Sequence, residues 1–203
     1  MHADDDKLVK RSRDGDRDAF EELVKRYESK VYTVAYRFMG NHADASDLAQ
    51  EVFIRVYQAL PSFRGESSFA TWLYRITANA CRDEIRKQQR HKNLSLEDVM
   101  SQTGGNPSLA ATGPSPEESL ERCEIHDLVQ RQLNGLSGDH RLILVMREIQ
   151  GMSYEEIASS LDCTLGTVKS RLNRARRALK QKVLEQRELF DIKFRLPSKS
   201  EEG

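Results

Sequence analysis

SYEEIASSLDCTLGTVKSRLNRARRALKQK, residues 153–182, is the stretch on which the fold turns. Ser153 with Glu156 three residues on is a capping box, so a helix starts at Tyr154. Ile157, Ala158 and Leu161 share one face of it, and the helix is spent at Leu161. Asp162 to Gly166 is a tight connection, and a second helix starts near Thr167. Val168 and Leu172 pack that helix back onto the first, with the small Ala158 where the two cross. Between Gly166 and Lys182 stand Lys169, Arg171, Arg174, Arg176, Arg177, Lys180 and Lys182, and no acid at all. Two short crossed helices, the second strongly basic, make a helix-turn-helix whose second helix suits the major groove of DNA. Solvated helix faces also carry charge runs. The crossing geometry and the one-signed charge together favour the DNA reading.

Working outward, Pro116 suits a first helical position ahead of Glu117 and Glu118. Leu120, Ile125, Leu128, Val129 and Leu133 then form one apolar face, and Leu142, Ile143, Val145, Met146 and Ile149 another. Upstream, Leu94 to Leu120 holds no Lys or Arg, three glycines and three prolines. It has too little apolar area to offset its ordering entropy, which predicts a flexible linker over 94–116. Residues 14–93 carry three helical stripes. The first is Phe20, Leu23, Val24, Tyr27, Val31, Val34, Ala35 and Phe38, stopped by Gly40-Asn41. The second is Ala45, Leu48, Ala49, Val52, Phe53, Val56, Tyr57 and Leu60, stopped by Pro61. The third is Phe69, Trp72, Leu73, Ile76 and Ala80, capped by Ser67 or Ser68. Strand-length alternation is missing. The expected fold is all-α: two small helical domains, 14–93 and 117–185, joined by a flexible linker, with an N-terminal extension at 1–13 and a tail at 186–203.

With 32 basic and 32 acidic side chains the chain is net neutral, yet the charges are segregated. Arg82, Arg86, Lys87, Arg90 and Lys92 make a second basic stretch at the end of the first domain. No run approaches the ~20 apolar residues of a membrane span. The N-terminus lacks an apolar signal core, and the odd cysteine count argues for the reducing cytoplasm. Cys81 and Cys163 are expected to be buried. There is no phosphate-binding glycine run, no HExxH and no cysteine pairing at zinc spacing. No enzyme activity, metal or cofactor is therefore expected.

Three motifs now stand in order: DLAQEVF at 47–53, FATWLYRI at 69–76 and GTVKSR at 166–171. Together they resemble the bacterial extracytoplasmic-function (ECF) sigma factors of the sigma-70 family. The resemblance spans about 14–93 and 117–185, and the chain fits the family's minimal plan of regions 2 and 4. Thr164 departs from a proline often found there, which predicts a slightly altered helix start.

The resemblance implies roles for particular residues. Asp47, Gln50 and Glu51 would contact core RNA polymerase, their acidity suited to a basic partner. The loop from Phe63 to Ser68 and the following helix would handle the promoter's −10 element. Phe63, Phe69, Trp72 and Tyr74 would be candidates to hold an unstacked base, with Arg64 and Ser68 beside them. Phe69 and Trp72 also lie on the apolar stripe, so each reads as core, as a DNA contact or as both. Asn79, Arg82 and Asp83 would read the −10 region, and Arg75, Arg86 and Lys87 would hold phosphate. Lys169, Ser170, Asn173 and Arg174, on one helical face, would meet the −35 bases. Arg171, Arg176 and Arg177 would grip phosphate, and Thr167 would add a hydrogen bond there.

The implied partners are core RNA polymerase, promoter DNA and an anti-sigma factor, with no direct membrane insertion, in the service of a stress or envelope-response regulon. The two promoter elements lie about 25 base pairs apart, about 85 Å at roughly 3.4 Å per step. About 25 linker residues reach at most ~80–90 Å when extended. As a free coil they span only ~25–30 Å. The linker must be drawn out on a scaffold, so the free protein is expected to bind promoter DNA poorly. A second reading stays open: an autonomous helix-turn-helix regulator with an N-terminal sensing or dimerisation bundle. That protein would dimerise and bind a palindrome alone.

Overall fold

A computed structural model describes residues 2–94 and 127–195. The expected linker, the helix start at Pro116, the apolar positions Leu120 and Ile125, and Cys123 lie outside them. Every regular element among the described residues is helical, in keeping with the all-α expectation.

The first unit comprises α1 (His2–Arg13), α2 (Arg17–Met39), α3 (His42–Ala59), a 3-10 turn (Leu60–Ser62) and α4 (Phe69–Leu94). Its helix ends follow local chemistry. Asp16 caps α2 by accepting from the Ala19 amide, and that bond with the Arg11 guanidinium holds its carboxyl below the usual range. Gly40 closes α2 at φ 85°, a left-handed position that favours glycine. Asn41 then accepts from the Asp44 amide to open α3. Pro61 turns the end of α3 into the 3-10 turn. Ser68, one of the two serines predicted, caps α4 by accepting from the Thr71 amide at 3.1 Å. The three apolar stripes meet in the core. Phe20, Val24, Phe53 and Ile76 are only half-buried at its edge, and Tyr57 is exposed.

Residues of the N-terminal extension form α1, which packs on α2 and touches the 3-10 turn and α4. Val9 is buried, and so is Asp5, whose carboxylate accepts from Arg26 at 2.7 Å and from the Tyr27 hydroxyl at 2.6 Å. Burial pushes the Tyr27 phenol up, and the neighbouring carboxylate adds to the shift. Asp5→Ala is expected to cost about 1–3 kcal/mol in urea denaturation, because the buried Tyr27 hydroxyl loses its acceptor. An unchanged midpoint would mean that this contact does not hold α1.

The second unit comprises α5 (127–134), α6 (Gly138–Leu144) continuing into a π turn (Val145–Ile149), α7 (Tyr154–Leu161) and α8 (Leu165–Arg195). Two expectations change here. Leu128 and Val129 are exposed, because α5 turns Gln130 and Leu133 inward instead. Ile149 is exposed too, since it ends the π turn, whose wider repeat differs from that of the α-helix before it. α8 runs on as a helix past residue 185.

The two units are packed together. α4 lies along α7, and α2 and α4 both touch α6, so one contiguous buried cluster spans both halves.

Candidate nucleic-acid interface

The helix-turn-helix forms as its stretch predicts. Ser153 and Glu156 make both reciprocal bonds of the capping box, at 3.1 and 2.7 Å. Asp162 leaves α7 in the left-handed region at φ 50°. Thr164 caps α8 by accepting from the Thr167 amide at 3.2 Å, so the chain keeps a cap at this position. Ile157, Leu161, Val168, Leu172 and Ala175 are buried in the seam. Opposite them Lys169, Ser170, Asn173, Arg174 and Arg177 are exposed, while Thr167 and Arg171 are half-buried. Lys169, Asn173, Arg174 and Arg177 have no hydrogen bond or ion pair among the described residues, so their polar ends are free for a ligand. Ser170 donates to the Thr167 carbonyl at 3.0 Å. Arg176 is committed to Glu148, with Nε at 3.0 Å and Nη2 at 2.6 Å from one carboxylate oxygen. That pair ties α8 to the π turn.

The residues implied for −10 contacts divide into three groups. Phe63, Phe69 and Trp72 are buried as one cluster, with Trp72 ring centroids 4.9 Å from Phe63 and 5.9 Å from Phe69. In this arrangement the rings are core, and no ring face is offered to a base. Arg64, Arg75, Asn79 and Arg86 are exposed, and Ser68 is occupied as a cap. Arg82 donates to the Leu161 carbonyl at 3.4 Å, and Asp83 accepts from Arg55 at 2.7 Å and Arg86 at 3.4 Å. Tyr74 is buried, which pushes its phenol up to about 12.

On α3, Asp47, Gln50 and Glu51 are exposed together. Glu51 accepts from Arg55 at 2.8 Å, and Arg55 reaches on to Asp83, tying α3 to α4; these two carboxylates push the guanidinium's pKa up. Beside them lies a cavity of about 650 Å3 with an apolar lining that includes Val24, Tyr32, Ala49, Gln50, Phe53 and Ile54. The sequence reading missed this groove. Its signal was Ile54, an apolar residue off the buried stripe of α3 and 52% exposed.

Among the described residues no group of His, Cys, Asp and Glu is placed to hold a metal ion. No helix among them is long and apolar enough to cross a membrane. Cys81 is buried as expected, which pushes its thiol up to about 12. Cys163 is only half-buried, a correction to the expectation, because it sits in the turn between α7 and α8.

A helix-turn-helix with a free basic face, packed on a second helical unit, places the chain among the helix-turn-helix proteins. Comparison with known proteins narrows the class. Residues 23–91 match the family Sigma-70 region 2, and residues 126–179 match Sigma-70, region 4. The ECF RNA polymerase sigma-E factor of Escherichia coli K12 is 41% identical over 180 residues, covering 88% of this chain and 94% of that protein. The chain belongs to the ECF family of RNA polymerase sigma factors. Two solved structures have a similar fold. CnrH in complex with the cytosolic domain of CnrY has a TM-score of 0.63 and 25% identity, over 89% of this chain and 97% of its own. The sigma factor RpoE in complex with the anti-sigma factor NepR, from Bartonella quintana, has a TM-score of 0.62 and 26% identity, over 82% and 96%. Membership decides for the sigma-factor reading over the autonomous regulator.

Proposed function

We propose that this chain is a promoter-specificity subunit that binds core RNA polymerase, selects −35 and −10 elements and promotes melting. The observation that carries it is the free basic face of α8, four polar side chains without partners on a buried scaffold, in a chain of this family. Lys169, Asn173 and Arg174 read major-groove edges, and Arg171 and Arg177 hold phosphate. On α4, Asn79 reads base edges while Arg75 and Arg86 position the strand. The groove of α2 and α3, with Gln50 in its lining, together with Asp47 and Glu51 in the neighbouring recess between α3 and α4, takes the polymerase. The groove's apolar floor supplies area, and Asp47 and Glu51 steer a basic partner. Stacking a melted base on Phe63, Phe69 or Trp72 requires the loop 63–68 to shift and uncover a ring.

The subunit lends specificity and has no catalytic group of its own. It works in the cytoplasm, where the polymerase is, on a stress or envelope-response regulon. An anti-sigma factor is its expected regulator, since similar solved chains are held by such partners.

Run-off transcription with core polymerase tests the reading. New start points that depend on the chain are expected, and their absence would end it. Arg174→Ala is expected to weaken binding of the holoenzyme to the −35 element by about 1–3 kcal/mol and relax preference at one base pair. An unchanged promoter preference would remove Arg174 from the base-reading set.

A further inference from the structure

α8 opens on a leucine. Leu165 is its first residue and is 41% exposed. Its place is fixed from both sides. Behind it Thr164 caps the helix: the Thr167 amide donates to Thr164 Oγ1 at 3.2 Å, and the two threonine hydroxyls are 2.9 Å apart. Ahead of it Val168 and Leu172 are buried in the seam with α7. Cα–Cβ bonds tilt toward a helix's N-terminus, so the isobutyl group projects from the leading end of α8. It stands one turn before Lys169, its neighbour on the helix surface.

A single exposed leucine is ordinary on a protein surface. This one stands where a recognition helix meets base edges, which are contacted by its N-terminal residues. The other large apolar side chains exposed on the described part of α8, Val183 and Leu184, lie about 27 Å further along its axis. Lys169, Asn173 and Arg174 are assigned to hydrogen-bonding base edges, and none of them ends in an apolar group. Thymine shows the major groove one acceptor and a methyl group, and that methyl is met by apolar contact. Leu165 supplies such a contact and has no polar atom to leave unpaired. Covering it with a base methyl removes apolar surface from water on both partners. Thr164 and Thr167 also carry methyl groups, but their hydroxyls are joined in the cap and Thr167 is half-buried.

We propose that Leu165 is a specificity-determining residue that reads the methyl group of a thymine in the −35 element, alongside the hydrogen-bonding side chains of α8. This rests on the reading of α8 as the −35 helix. Deoxyuridine keeps every hydrogen bond of thymidine and lacks only the methyl, so the contact can be deleted from the DNA side alone.

The test uses holoenzyme, core polymerase with the full chain, and a duplex promoter library randomised across the −35 element and selected by binding. The wild type is expected to enrich thymine at one position, on either strand, that Leu165→Ala no longer enriches. Leu165→Met, still apolar, is expected to keep that preference. Replacing the thymine by deoxyuridine is expected to weaken wild-type binding about fourfold, the effect of leaving one carbon group unburied. The Leu165→Ala holoenzyme is expected to bind both duplexes equally. Equal binding of both by the wild type overturns the proposal, and that arm needs no variant to fold. So does a deoxyuridine effect that persists in Leu165→Ala, or one that Thr164→Ser abolishes, since Thr164→Ser keeps the capping hydroxyl and removes only a methyl. A −35 preference that Arg174→Ala relaxes and Leu165→Ala leaves intact drops Leu165 alone. A wild type with no −35 preference drops the reading of α8 as well.

Discussion

Asp47→Lys combined with Gln50→Lys is expected to cut run-off transcription with core polymerase at least tenfold, while the thermal midpoint of the free protein stays within a degree or two. Both side chains are exposed on α3, Gln50 lining the apolar groove and Asp47 the recess between α3 and α4, and Asp47 has no hydrogen bond or ion pair among the described residues. Their replacement therefore removes no bond that holds the fold. Glu51 is a poorer choice, since it is bonded to Arg55, which also holds Asp83 of α4. A like-charge contact in a docked interface costs several kcal/mol, and tenfold in binding is about 1.4 kcal/mol. Charge at a rim acts mainly on encounter, so the defect should be largest at low salt and shrink as salt screens it. Wild-type transcription by the double variant would show that the polymerase docks elsewhere.

Much of this was legible in the sequence, and the exceptions share a cause. The stripes of α2, α3 and α4 and the caps at Gly40, Ser68 and Ser153 are local patterns, and local chemistry sets them. The basic face of α8 was legible for the same reason: its charges stand on one short helix. What escaped was burial of polar groups by distant partners. Asp5 looks like any solvated carboxylate until Arg26 and Tyr27, more than twenty residues away, enclose it. Gln130, Arg141, Gln150 and Ser160 join the two units through backbone carbonyls, which carry no sequence signature. The exposure of Leu128 and Val129 follows from the same contacts, since Gln130 occupies the inward position on α5. The groove of α2 and α3 was partly readable, because Ile54 is apolar where α3 has no need of it.

The second large effect is on stability. Leu172→Ala is expected to cost the second unit about 2–5 kcal/mol, the usual range for removing a fully buried leucine from a core that collapses only partly. Leu172 is 1% exposed in the seam where α8 meets α7 and α6. The unit is small, so such a loss is a large share of its stability. DNA binding by α8 should fall with it, because the side chains proposed to read bases are aimed by that seam. Arg174→Ala differs by losing affinity with no change in stability. The single tryptophan, Trp72, lies in the first unit and reports on it separately. In urea, far-UV circular dichroism should show the second unit melting early. Trp72 fluorescence should move less, because Trp72 packs against Phe63 and Phe69 within the first unit. If both signals shifted together by the full amount, the halves would be one cooperative unit. An unmoved circular dichroism midpoint would instead remove Leu172 from the core of the helix-turn-helix.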